Sequence, residues 1–266
     1  TRLVGSEMCI RDSLKPVSEP HDDMQSSNNT SSTVKKRVGL PRKGTYDQTE
    51  TKETKEPDFE KVVEENKKDI CEFLGISKEN LIHPSQTHTS HIEVAKIGKN
   101  LYPDTDGLIL TNNDQAIYLN FADCTPVIIF DAIKNIGAVS HAGWRGTAGN
   151  IASKTVEKMK EEFGSNPQDL KCAIGPAISF CCYNVGEEVL EKVKMTVKNF
   201  DRLSEIREGN IYIDLKGINK QQLIEVGVKP ENIDVCPYCT VCNNDLFFSY
   251  RNENATTNRH SAVIKL

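Results

Sequence analysis

Three side chains far apart in the sequence could act on one substrate: His88, Cys124 and His141. Thiolate sulfur and imidazole nitrogen are donors that zinc prefers, and a catalytic zinc takes three protein ligands and keeps one position open. No short-spacing motif ties the three together, and the same residue types allow other chemistry. Cys124 as a thiolate with His141 as its base would make a nucleophilic pair. Cys124 can equally be a small buried residue with no chemical role. Residue type alone leaves all three alternatives open.

Directly after His141 comes Gly143-Trp144-Arg145-Gly146-Thr147, with the only tryptophan of the chain. Two glycines let the backbone approach a ligand, Thr147 is placed to cap a following helix, and a helix N-terminus attracts anions. Arg145 adds a planar donor fork that suits phosphate. A tight turn with a solvated arginine would use the same residues. Asp123, beside Cys124, is a candidate for moving a proton or supporting the site, although a strand here would turn it away from Cys124. Near the C-terminus Tyr250, Arg251 and Arg259 add a phenol and two cations, Tyr250 and Arg251 facing opposite ways if the segment is a strand. Cys236, Cys239 and Cys242 form a C-x-x-C-x-x-C run. Zinc or an iron–sulfur cluster would need a fourth ligand there, from Cys181 or Cys182. Thiols lining a core or pocket are the reading favoured here.

These groups need strands to position them. The apolar runs 116–121, 127–131 and 136–140 are bounded by turns and predict strands covered on both faces. Residues 148–163 predict a helix with Ile151, Thr155, Met159 and Phe163 on one face and Gly164 as its stop. Further helices are predicted over 58–74, 185–197 and 216–226, and further strands over 170–174, 211–215, 233–235, 247–250 and 262–266. Strands and helices interleave without strict alternation, so the fold class is α/β (α+β): one layered domain of mixed sheets with flanking helices.

The sequence has 266 residues, enough for a sizeable core, and a formal net charge of −5, which offers no electrostatic attraction for nucleic acid. No apolar run approaches the length of a membrane span. Nine cysteines, an odd number, fit reduced thiols and a cytoplasmic location. Residues 1–32 are polar and predict a disordered tail, with 1–13 reading as an artefact outside the fold, and 33–266 as the catalytic domain.

With these residues assembled, the chain resembles the YfiH-type family over about residues 37–266. The motifs are Gln86-Thr87-His88, Asp106-Gly107-Leu108-Ile109, Ala122-Asp123-Cys124-Thr125-Pro126 and His141-Ala142-Gly143-Trp144-Arg145-Gly146-Thr147. Ile174-Gly175-Pro176-Ala177-Ile178, Cys182-Tyr183-Asn184-Val185-Gly186, Cys239-Thr240 and Phe248-Ser249-Tyr250-Arg251 extend the match. Members have been called multicopper polyphenol oxidases and, later, zinc-dependent purine nucleoside phosphorylases with adenosine deaminase activity.

The resemblance implies zinc on His88, Cys124 and His141. It implies purine nucleosides (adenosine, inosine, guanosine and 5′-methylthioadenosine) and inorganic phosphate as substrates. Arg145, with Arg37 and Arg251, would orient the phosphate, and Gln86 joins the substrate-binding group. The chain departs from the pattern at Leu40-Pro41-Arg42, at Asn252 and at Asn258, which bears on substrate choice rather than on the metal ligands. A copper-dependent, laccase-like oxidase is the runner-up, disfavoured because six histidines are few for a mononuclear copper plus a trinuclear cluster. A Cys–His hydrolase, or an accessory role in cell-wall precursor editing, is the remaining alternative.

Overall fold

A strand with no polar face must be covered on both sides, and alternation within the apolar runs shows what covers them. The structure, a computed structural model, describes residues 9–11 and 59–266. In chain order the first elements are β1 (Cys9–Arg11), α1 (Phe59–Leu74), β2 (Leu81–Ile82), β3 (Ile92–Val94) and β4 (Gly107–Leu110). Next come β5 (Ala116–Phe121), β6 (Thr125–Asp131), β7 (Ile136–Ala142), α2 (Trp144–Ala148) and α3 (Ile151–Phe163). The second half holds β8 (Lys171–Ile174), β9 (Asn184–Val185), α4 (Glu187–Lys194), β10 (Ser204–Arg207) and β11 (Asn210–Ile213). It closes with α5 (Leu215–Glu225), β12 (Ile233–Val235) and β13 (His260–Lys265).

Six strands make the central sheet in the order β12-β8-β6-β7-β4-β3, antiparallel except at its two edge pairs. On one face Ile109, Val127, Ile129 and Ala138 pack with Ile151, Val156 and Met159 of α3 and Leu223 of α5. The intervening residues Leu108, Leu110, Ile128 and Val139 face a second sheet, ordered β1-β13-β5-β2, through Ile117, Leu119 and Phe121. On that sheet's outer face Ala116, Tyr118 and Val263 pack with Leu74 from the end of α1. A small antiparallel sheet, β10-β11-β9, joins α4 and the start of α5 in a separate cluster around Val193, Phe200 and Ile213. The layered mixed-sheet class is the one expected.

Several expectations change. The helix foreseen over 148–163 is α3, which starts at Ile151 because Asn150 before it takes a left-handed backbone with φ 59°, and a short helix not foreseen, α2, precedes it. Thr147 caps neither of them: it lies inside α2, buried, where its hydroxyl accepts from Asn219 at 2.9 Å. Residues 247–250 are not a strand. Side chains there bond to nearby backbone, Asn244 Nδ2 to the Phe247 carbonyl at 3.1 Å and the Asn252 N–H to Ser249 Oγ at 3.1 Å, which competes with a ladder. Cys9–Arg11, set aside above with the tail, pairs antiparallel with β13, whose edge offers it a ladder. The rest of the expected tail, with Arg37 and the divergent segment after it, lies outside the described residues.

Candidate active site

The site opens at one end of the sheet sandwich, where β7 delivers His141. Ser140 points to the helix layer and bonds Thr155 at 2.8 Å, so by alternation His141 points to the other face, toward Phe121, with ring centroids 5.4 Å apart. His141 Nδ1 lies 2.8 Å from Asp106 Oδ1, which leaves Nε2 as the nitrogen available to a ligand.

Asp106 does more than orient that ring. Fully buried, its carboxylate also accepts from the backbone N–H groups of Thr87 (3.2 Å), His88 (3.1 Å) and Thr89 (2.7 Å) and from Thr89 Oγ1 (2.9 Å). Those bonds hold the loop carrying His88, whose φ of 64° is uncommon for a non-glycine residue. Burial opposes ionisation of Asp106, but the His141 and Thr89 hydrogen bonds outweigh it and keep the carboxyl below its usual range. One acid therefore positions both imidazoles.

Cys124 stands in the bend between β5 and β6. The nitrogen and sulfur ligand atoms of His88, Cys124 and His141 all lie within 4.8 Å of one another. Gly143 makes room for them: a Cβ there would stand 2.9 Å from Cys124 Sγ and 3.4 Å from His88 Cδ2. Burial opposes ionisation of the Cys124 thiol, yet the neighbouring His141 and His88 outweigh it and bring the pKa down to about 6. Burial alone would lower His141, but the Cys124 sulfur and the Asp106 carboxylate raise it to about 9. Left to themselves the two form a thiolate–imidazolium pair. Three soft or borderline donors facing one point, with the fourth side open to a cavity, fit a catalytic zinc.

That cavity, about 650 Å³, is lined by all three residues and by Asp123, Arg145, Tyr183, Tyr250, Arg251 and Arg259. Arg145 stacks on Trp144 with its guanidinium 4.2 Å from the ring. Tyr250 and Arg251, expected on opposite faces, both reach the cavity because the segment turns. Arg251 bonds Asn184 Oδ1 at 2.6 Å. Asp123 has both carboxylate oxygens engaged, by Thr240 Oγ1 at 2.6 Å and by the Arg251 N–H at 2.7 Å. Gln86 also lines the cavity, but its amide is paired with the backbone of Asn120, donating at 3.0 Å and accepting at 2.8 Å.

Asp106 and Tyr183 lie in motifs quoted above, but sequence reasoning ascribes no role to either. For Asp106 a signal existed: an acid directly preceding a fully apolar strand is buried with it and needs donors. Tyr183 offered none, since its place depends on how its loop folds back.

Residues 31–266 match the family described as multi-copper polyphenol oxidoreductase laccase. Among curated proteins, the purine nucleoside phosphorylase YlmD of Geobacillus stearothermophilus is 34% identical over 210 residues, covering 75% of this chain and 77% of its own. The adenosine deaminase RL5 of an unknown prokaryotic organism is 34% identical over 190 residues, covering 67% and 72%. In structure, the hypothetical protein YfiH of Bacillus licheniformis aligns with a TM-score of 0.76 at 33% identity, covering 79% of this chain and 83% of that one.

Proposed function

Because the chain belongs to the YfiH/YlmD-like family of multi-copper polyphenol oxidoreductase laccase proteins, we propose that it is a zinc-dependent purine nucleoside phosphorylase that also deaminates adenosine. The observation that carries this reading is the convergence of His88, Cys124 and His141 on the wall of a cavity that also presents Arg145, Arg251 and Arg259. His88, Cys124 and His141 would hold zinc, which would supply the Lewis acidity that hydrolytic deamination requires.

For phosphorolysis the chain's own groups do the positioning. Arg145, Arg251 and Arg259 hold inorganic phosphate, and one phosphate oxygen attacks the anomeric carbon of the ribose. As that C–O bond forms, the C–N bond to the purine breaks. The bonding pair leaves on the base nitrogen, which takes a proton from solvent. Tyr183, Tyr250 and His83 line the cavity and would bound the purine. Burial and the Cys124 sulfur push the Tyr183 phenol up, so it stays a hydrogen-bond donor. Asp123, with both oxygens engaged, enters as the group that holds Arg251 in place rather than as a proton carrier. Adenosine, inosine, guanosine and 5′-methylthioadenosine are the proposed substrates.

The thiolate–imidazolium pair favours one alternative, a Cys124 nucleophile, which needs no His88. Copper oxidase chemistry is disfavoured, because the histidine-bearing metal-capable group among the described residues contains only two imidazoles. The test is product analysis of purified, zinc-loaded protein with adenosine. Adenine and ribose 1-phosphate should form only when phosphate is present, and inosine with or without it. Zinc-loaded protein that yields neither product would overturn the proposal.

A further inference from the structure

Four thiols outside the reaction come together on loops next to Ile178 and Tyr183 of the cavity wall. Cys181 and Cys182 meet Cys239 and Cys242 from about sixty positions further along the chain, with Sγ–Sγ separations of 3.6 Å for Cys181–Cys242 and 3.4 Å for Cys182–Cys242. All four sulfurs lie within 4.8 Å of one another, and all four thiols are free. Cys236, part of the run in the sequence, is not in the group. Four sulfurs at zinc–thiolate distance around one tetrahedral ion stand about 3.8 Å apart, inside the range found here. A disulfide would need about 2.05 Å, and an iron–sulfur cluster interposes sulfide and spreads its cysteines more widely.

We propose that Cys181, Cys182, Cys239 and Cys242 form a second, structural zinc site that staples the 178–183 loop to the 236–243 loop. The backbone already frames such a site. Ala177 and Cys239 form a parallel bridge, the Thr240 N–H donates to the Ala177 carbonyl at 3.2 Å, and the Ser179 N–H donates to Cys239 Sγ at 3.4 Å. Four protein ligands leave no open position, the mark of a structural zinc. Cys181 and Cys242 are exposed.

The stapled loops carry Ile178 and Tyr183 to the cavity wall and are clamped to Asp123, through the Ile178 N–H to its carbonyl at 3.0 Å and Thr240 Oγ1 to its carboxylate. The second ion would therefore set the loop side of the substrate cavity without touching substrate. The proposal is independent of which reaction the cavity performs.

The experiment is metal analysis of the full chain purified with reductant, followed by cobalt(II) substitution. Roughly two zinc ions per chain are expected, because each ligand set holds one. Cys181→Ser with Cys242→Ser should remove one ion and most of the intense thiolate-to-cobalt absorption. His88→Asn with Cys124→Ala should remove one ion and leave that absorption. If the serine variant does not fold, alkylation of the unaltered protein serves: in the zinc-loaded chain Cys181 and Cys242 should be protected until a strong chelator is added. One ion per chain that vanishes with the His88 and Cys124 changes, immediate alkylation of Cys181 and Cys242, or a disulfide between them would each overturn the proposal.

Discussion

On one side of the cavity His141 sits in a strand paired on both edges and held by a buried acid, whereas on the other side Tyr183, Tyr250 and Arg251 hang from loops tied by side-chain hydrogen bonds. The sheet side holds its groups by backbone geometry, as a metal site requires. The loop side has more latitude in what it meets, as is common where loops on a rigid scaffold make a binding wall. The difference teaches where reaction type and substrate choice should part when each side is changed.

Breaking the sheet side should have the largest effect. Asp106→Ala removes a buried carboxylate that serves five donors. A loss of about 3–5 kcal/mol in unfolding free energy is expected, the usual cost of breaking a buried charged pair, together with loss of zinc from His88, Cys124 and His141. Denaturant titration and metal analysis check both. Breaking the loop side should leave zinc in place. Arg251→Ala is expected to raise the KM for phosphate by about 10- to 100-fold, the worth of one charge-assisted hydrogen bond, with zinc content unchanged. Steady-state kinetics at varied phosphate reads it. Equal loss of zinc in this variant would erase the distinction between the sides.

A subtler change sharpens it. Gly143→Ala brings a Cβ to 2.9 Å from Cys124 Sγ at a residue whose φ of −66° suits any side chain, so crowding rather than backbone strain is at issue. Zinc affinity should fall by about 10- to 100-fold in chelator competition, as when groups supporting metal ligands are altered, while the fold persists.

The smallest effect concerns pH in zinc-stripped protein. The Cys124 thiol, lowered from 9.0 to about 6, contributes stability that is present above pH 9 and lost as pH falls through 6. His141, raised from 6.5 to about 9, contributes stability that is present below pH 6.5 and lost as pH rises through 9. Between pH 6.5 and 9 the slopes are opposite, because folded and unfolded chains both hold one proton on the pair. The pair should therefore add no pH dependence to stability in that window. Alkylation of Cys124, mapped by mass, should nonetheless persist down to about pH 6, where the thiolate is lost.

Strands were legible in the sequence where burial was nearly complete: β5 falls on the residues foreseen, and β6 and β7 begin or end within two positions of them. Apolar continuity reports burial on both faces and needs no knowledge of partners. The start of α3 and the separate α2 before it were not legible, since one left-handed residue, Asn150, sets the boundary between them. Tyr250 and Arg251 were misplaced because local polar side chains outbid a ladder, a choice decided by neighbours such as Asn244 and Glu253. His88, Cys124 and His141 could be named as candidates, yet their convergence depends on Asp106, which gathers the 87–89 loop and β7 from either side of its own position. The joining of Cys181 and Cys182 to Cys239 and Cys242 likewise depends on two loops meeting, which no local pattern encodes.

The central claim is metal-dependent chemistry at His88, Cys124 and His141, and His88→Asn tests it most directly. Asparagine tolerates the left-handed backbone at φ 64°, so the loop should keep its shape while the imidazole is lost. The measurement is phosphate-dependent adenine release alongside the zinc content of the same sample. Both should fall together in this variant. Undiminished adenine release from protein that has lost this zinc would contradict the account and leave the Cys124–His141 pair as the reacting group.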